Sequence, residues 1–239
     1  MSQTKTPGTS HAVVSPSEWI EASQKFLVKE KEFTRLREDL SRQRRELPWT
    51  RVDKDYVFEG PNGAVTLADL FDGRSQLIVY HFMFGPGWDE GCSGCSFVCD
   101  HVDAARQHFE HNDLSFVAVS RAPLAEFLPY KKRMGWTFDW VSSAGNEFNY
   151  DFGASFRKQD LEKGPVMFNF KMQTIKGDEQ PGLTVFFKDT DGTVYRTYSS
   201  YERGLDLLVG AYNFIDLTPI GRNESGPMDW MRRHDQYED

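Results

Sequence analysis

Residues 76–84 read Gln-Leu-Ile-Val-Tyr-His-Phe-Met-Phe, a nearly unbroken apolar run with β-branched residues at its centre. Such a run predicts a strand buried on both faces, and a strand of that kind needs a layer above and a layer below it. Leu114 to Ser120 repeats the pattern after a stretch that reads as a helix over 95–112. Two covered strands separated by a helix point to a mixed α/β sheet. Gly85-Pro86-Gly87 ends the first strand, and Cys92-Ser93-Gly94-Cys95 then stands where the following helix begins.

The rest of the chain fits around that centre. Ser15-Pro16-Ser17-Glu18 is a helix start, with Ser15 as N-cap, Pro16 in the first turn and Glu18 closing a capping box. Trp19, Ile20, Phe26, Leu27, Phe33, Leu36 and Leu40 follow at three- and four-residue steps, and Pro48 ends the helix. Short elements are expected at 56–59 (strand) and 66–71 (helix). A helix over 123–134 and an irregular aromatic stretch over 138–160 follow, then a strand within 166–173. The segments 183–188 and 193–198 form a hairpin through Asp191-Gly192, and 204–214 is a closing helix. The expected organisation is a disordered tail over 1–14, a helical extension over 15–50, the sheet domain over 51–220 and a weakly packed tail over 221–239.

Composition narrows the function classes. The chain has 239 residues, enough to bury a core without staples, and only 3 Cys, too few for a disulfide scaffold. No apolar run reaches the roughly 18 residues of a membrane span, and no secretory signal follows Met1, so a soluble cytoplasmic protein is expected. Net charge is −8, which argues against nucleic acid as partner. Residues 1–45 nevertheless carry 9 Lys and Arg against 6 Asp and Glu. That basic arm reads either as a helix packed on its own domain or as a dimer arm.

The three cysteines lie within eight residues. Two thiols at i and i+3 on a first helical turn can bridge, and the free N–H groups there favour a thiolate on the first. Cys92 is then the attacking nucleophile and Cys95 the resolving thiol. Asp89 and Glu90, just before the pair, are expected to oppose thiolate formation. Cys92, Cys95, Cys99 and His101 also spell C-x2-C-x3-C-x-H, four candidate ligands for zinc or iron, but all on about two turns of one helix. That leaves a metal-binding or redox-sensing protein as an alternative, with no metal or cofactor as the preferred expectation and Cys99 as a small packing residue. No Gly-rich phosphate loop and no G-x-S-x-G is present.

The strand, the Cys92/Cys95 pair and the segment Pro181-Gly182-Leu183-Thr184-Val185-Phe186 resemble the thioredoxin-like superfamily. YHFMFGPGWDEGCSGCSF at 80–97, PGLTVFFKDTDGTVYRTYSSYERGL at 181–205 and DWMRRHDQY at 229–237 are similar to the bacterial family DUF899, whose members are predicted dithiol–disulfide oxidoreductases. The resemblance implies a thioredoxin-like mixed sheet with flanking helices and an N-terminal helical extension. It implies as substrate a disulfide in a protein or a small molecule. It places Pro181 where thioredoxins carry a cis-proline facing the dithiol; an ordinary trans proline opening a hairpin strand is the other reading. It places His81 about where thioredoxins bury a carboxylate, so a neutral imidazole there would take the Cys95 proton. A satisfied core histidine is the other reading. Trp88 is a candidate shield for the pair. The P-x-x-x-T-x-x-C pattern of peroxiredoxins fits neither Cys92 nor Cys95. A non-enzymatic interaction module on this fold is the remaining alternative.

Overall fold

The computed structural model describes residues 11–237. The expected disorder of residues 1–10 lies outside the described residues. Two compact units divide the chain, one ending at Pro48 and including 215–223, the other comprising 49–214 and the segment from Glu224. In the first unit, helix α1 (Pro16–Arg45) starts as its sequence predicts. The Ser15 hydroxyl accepts from the Glu18 N–H while the Glu18 carboxylate accepts from the Ser15 N–H. None of its residues is buried.

The second unit is built on an eight-stranded sheet. Its strands are β1 (Thr50–Arg51), β2 (Val57–Gly60), β3 (Gly63–Thr66), β4 (Gln76–His81), β5 (Leu114–Ser120), β6 (Asp139–Ser142), β9 (Gly182–Lys188) and β10 (Val194–Tyr201). A separate pair, β7 (Val166–Phe168) and β8 (Lys171–Gln173), lies between β6 and β9 in sequence. Across the sheet the order is β1-β10-β9-β4-β5-β6-β2-β3. The central strand β4 runs parallel to β5 and antiparallel to β9, and β9 turns back into β10. That β-α-β unit extended by an antiparallel hairpin is the thioredoxin-like arrangement.

Because side chains alternate along a strand, β4 feeds two cores. Leu77 and Val79 face one, with Phe71, Phe148, Phe152 and Phe186. Tyr80, and Phe82 beyond the strand, face the other, with Cys95, Val98, Phe127 and Trp140. Helices α2 (Ser93–Cys99), α3 (Asp103–His111) and α4 (Leu124–Arg133) follow the strands on this second side, and α5 (Phe148–Asp151) supplies Phe148 to the first.

Several elements differ from the sequence expectation. The single helix expected over 95–112 breaks at 100–102. There the His101 Nδ1 bonds the Phe97 carbonyl at 2.7 Å, which takes the acceptor that the next helical N–H would use. Strand β6 lies inside the stretch read as irregular, where Trp140 is fully buried. The expected strand over 166–173 is a tight hairpin, with Asn169 and Phe170 both at positive φ. The closing helix begins as a 3-10 turn, Glu202–Leu208. The C-terminal residues do not pack weakly: Met231 is buried in the second core, and Arg233 reaches back 142 residues to the Gly91 carbonyl.

Candidate active site

Cys92 caps α2 and is half-buried; Cys95, three residues on, is fully buried, and both are free thiols. Three contacts fix the turn that carries them. The Cys92 N–H donates to the Met83 carbonyl at 3.2 Å, holding the turn to the end of the β4 segment. The Arg233 guanidinium donates from Nη2 to the Gly91 carbonyl at 2.6 Å and from Nε to the Tyr130 hydroxyl at 3.0 Å. Tyr130 in turn donates to the Ser96 hydroxyl at 2.7 Å, whose proton goes to the Cys92 carbonyl at 2.8 Å. The order of donors follows because arginine only donates and a carbonyl only accepts.

The two thiols are driven apart in acidity. Cys92 falls from the usual thiol range to about 6. The Cys95 thiol donating to its sulfur is the largest cause, followed by the backbone N–H groups of Cys95 and Gly94 and the charge of Arg233, all against the cost of burial. Cys95 is pushed well up, first by burial and then by its role as donor to Cys92. The Tyr80 hydroxyl donates to the Cys95 sulfur and works the other way, as does the Met83 N–H at 3.5 Å. The balance leaves the negative charge on the Cys92 sulfur.

Glu90 does not oppose the thiolate as the sequence suggests. It is paired with Arg133 and, at 2.9 Å, with Arg233, and these charges hold its carboxyl below the usual range, Arg133 foremost. The acidic residue therefore anchors the same arginine whose charge favours the Cys92 thiolate. Asp89 makes no ion pair among the described residues.

His81 is not beside the dithiol. It is the last residue of β4 and points to the opposite face from Tyr80, stacked on Phe148 and Phe152 with ring centroids 5.5 and 6.2 Å away. Its Nε2 meets the Thr184 hydroxyl at 3.0 Å, and burial lowers its pKa to about 3. The reading of His81 as the Cys95 proton acceptor fails by one residue of strand parity, and Tyr80 occupies that place. Pro181 does face the dithiol, lining the same cavity as Cys92 and Cys95, but among the described residues no peptide bond is cis, so the trans reading holds. Trp88 packs toward Phe84 and does not line the cavity. Cys99 is fully buried, and burial pushes its thiol well up, as expected of a packing residue. His101 has both ring nitrogens engaged, Nδ1 donating to Phe97 O and Nε2 accepting from the Ala211 N–H. Among the described residues no three His, Cys, Asp or Glu side chains converge as a metal site.

The cavity at the dithiol measures about 250 Å3 and is walled mainly by apolar side chains, among them Tyr80, Val98, Leu205, Val209 and Met228. A larger one, about 650 Å3 and lined by residues such as Arg51, Lys54 and Asp191, contains no thiol and no histidine. Sequence reasoning missed Tyr80, Tyr130, Met228 and Arg233. None of them carries a local signal that ties it to the pair.

A search of curated proteins returns no match. Among solved structures the chain is similar to the peroxidoxin BcpB of Mycobacterium tuberculosis, at 14% identity and a TM-score of 0.46 over 71% of this chain and 97% of that one. It is also similar to a mutant PrxQ of Xylella fastidiosa, at 11% identity and a TM-score of 0.44 over 69% and 94%. A candidate thiol:disulfide interchange protein DsbE of Chlorobium tepidum gives 14% identity and a TM-score of 0.41 over 69% and 99%. The family model for bacterial proteins of unknown function, DUF899, matches residues 8–237, nearly the full length, and the chain belongs to that family.

Proposed function

We propose that the protein is a thiol–disulfide oxidoreductase working through Cys92 and Cys95. The observation that carries this reading is the split acidity of the pair. A half-buried sulfur with its pKa lowered to about 6 stands beside a buried thiol pushed well up. Such a pair gives a nucleophile that is ionised at neutral pH and a second thiol held in reserve. The Cys92 thiolate attacks one sulfur of a disulfide, forming a mixed disulfide and expelling the other half as a thiolate, which takes the Cys95 proton. Cys95 then attacks the Cys92 sulfur, closing the intramolecular disulfide and releasing the second half. Two electrons pass from the dithiol to the substrate.

Tyr80 supports the second step, because its hydroxyl donates to the Cys95 sulfur and stabilises the thiolate that must form there. The reduced protein should lose two thiols per disulfide consumed. Cys92→Ser should abolish that loss, and Cys95→Ser should accumulate a mixed disulfide on Cys92, visible by intact-mass spectrometry. Equal thiol loss in Cys92→Ser would refute the assignment.

A further inference from the structure

We propose that the substrate of this dithiol is a small, uncharged organic disulfide held inside the 250 Å3 cavity, and not the disulfide of a folded protein. The inference rests on the dithiol reading above and names its substrate class. Three observations carry it.

The first is chemical. The charged residues at the cavity are already engaged: Arg203 pairs with Asp206 at 2.7 Å and Glu202 accepts from the Asn169 amide at 2.6 Å. The remaining wall is almost wholly apolar, so a charged disulfide would lose its hydration there without a partner. The second is size. The space of about 250 Å3 suits a small dialkyl disulfide with two or three carbons on each side of the sulfurs.

The third is access. A methyl group built on Gly94, between the two cysteines, would lie 3.6 Å from the Met228 sulfur, 3.8 Å from the Cys92 sulfur and 4.0 Å from the Met231 terminal carbon. The C-terminal segment thus rests against the turn where the backbone of a folded partner would have to approach. It is fastened there by Arg233 to Gly91 and by Arg133 to Asp235 at 2.6 Å. Methionine walls of this kind adapt to differing alkyl chains.

The test is single-turnover thiol loss by the reduced full-length protein. The disulfides are diethyl disulfide, glutathione disulfide and insulin, each rate divided by that of the same disulfide with free dithiothreitol. The expected result is a normalised rate for diethyl disulfide at least about tenfold above both others, in line with what a shaped apolar pocket discriminates. Met228→Trp, which fills the cavity, should cut the diethyl disulfide rate by about tenfold. Met228→Ala, which enlarges it, should shift the preference toward dibutyl disulfide. Glutathione disulfide or insulin reacting as fast as diethyl disulfide overturns the substrate class and leaves the dithiol reading intact. No reaction with any disulfide overturns the dithiol reading itself. Where a Met228 variant fails to fold, the wild-type ranking of the three disulfides decides alone.

Discussion

The lowered Cys92 pKa makes a prediction that is easy to test badly. A thiol of pKa about 6 is about 90% ionised at pH 7, against about 3% for an ordinary thiol near 8.5, a gain of roughly thirtyfold in thiolate. Intrinsic nucleophilicity falls with pKa, however, with a Brønsted slope of about 0.4–0.5, which takes back roughly thirteenfold over about 2.5 units. The net advantage at pH 7 is only about twofold, too small to identify the site. At pH 5.5 the ordinary thiol is about 0.1% ionised and Cys92 about 24%, and the net advantage grows to roughly eighteenfold.

Alkylation by iodoacetamide, followed residue by residue in the reduced protein, should therefore show Cys92 titrating near 6 and dominating at acid pH. The causes can then be ranked. The Cys95 thiol is the largest contributor and Arg233 the smallest of those named, so Cys95→Ala should raise the midpoint more than Arg233→Gln. A wild-type midpoint near 8.5 would refute the proposed electrostatics outright. The reverse ranking would show that the charge from the C-terminal segment, and not the neighbouring thiol, sets the reactivity.

Other outcomes follow from the same geometry. Tyr80→Phe removes the hydroxyl that favours the Cys95 thiolate, so it should lengthen the life of the mixed disulfide in stopped-flow traces while leaving Cys92 alkylation unchanged. His81 titrates near 3 when folded and near 6.5 when unfolded, so between these values the unfolded state holds more protons and stability falls as pH is lowered. The loss should approach about 3 kcal/mol by pH 4, and urea titrations of His81→Gln against wild type should show a flatter acid limb. At Gly91 a Cβ would come within 2.5 Å of Phe82 and 2.8 Å of Tyr130. Gly91→Ala should cost about 1–3 kcal/mol in the same titrations, since both rings belong to a packed core.

The parts of this molecule that could be read from sequence are those set by neighbours in the chain. The capping box at Ser15 and Glu18 and the Asp191-Gly192 turn rest on contacts within a few residues, and the apolar run at 76–84 announces a covered strand by its local composition alone. The same run shows where such reading stops. Because residues 76–84 are apolar almost throughout, no alternation says which of Tyr80 and His81 faces the dithiol, and it is Tyr80 that does, with His81 on the opposite face. Strand β6 leaves little trace in the sequence because Asp139-Trp140-Val141-Ser142 is only four residues long and runs straight into Ser143-Ala144-Gly145. Arg233 and Met228 had no signal at all near the cysteines, since their contacts close across well over a hundred residues.

The strand order has a consequence for the shape of the sheet. β1 and β2 follow each other in the chain but hold the first and seventh places across the sheet. In a flat sheet they would stand about 29 Å apart, at about 4.8 Å per strand. The link from Arg51 to Val57 spans six peptide steps and reaches at most about 21 Å. The sheet must therefore curl until its two ends come within reach of one short strap. That strap is held down by the Val52 N–H on the Val194 carbonyl and by Lys54 and Tyr56 on the Asp151 carboxylate. A single proteolytic nick within 52–56 would let both rims spring outward together, uncovering unpaired backbone that other chains can join, which light scattering after limited digestion would register.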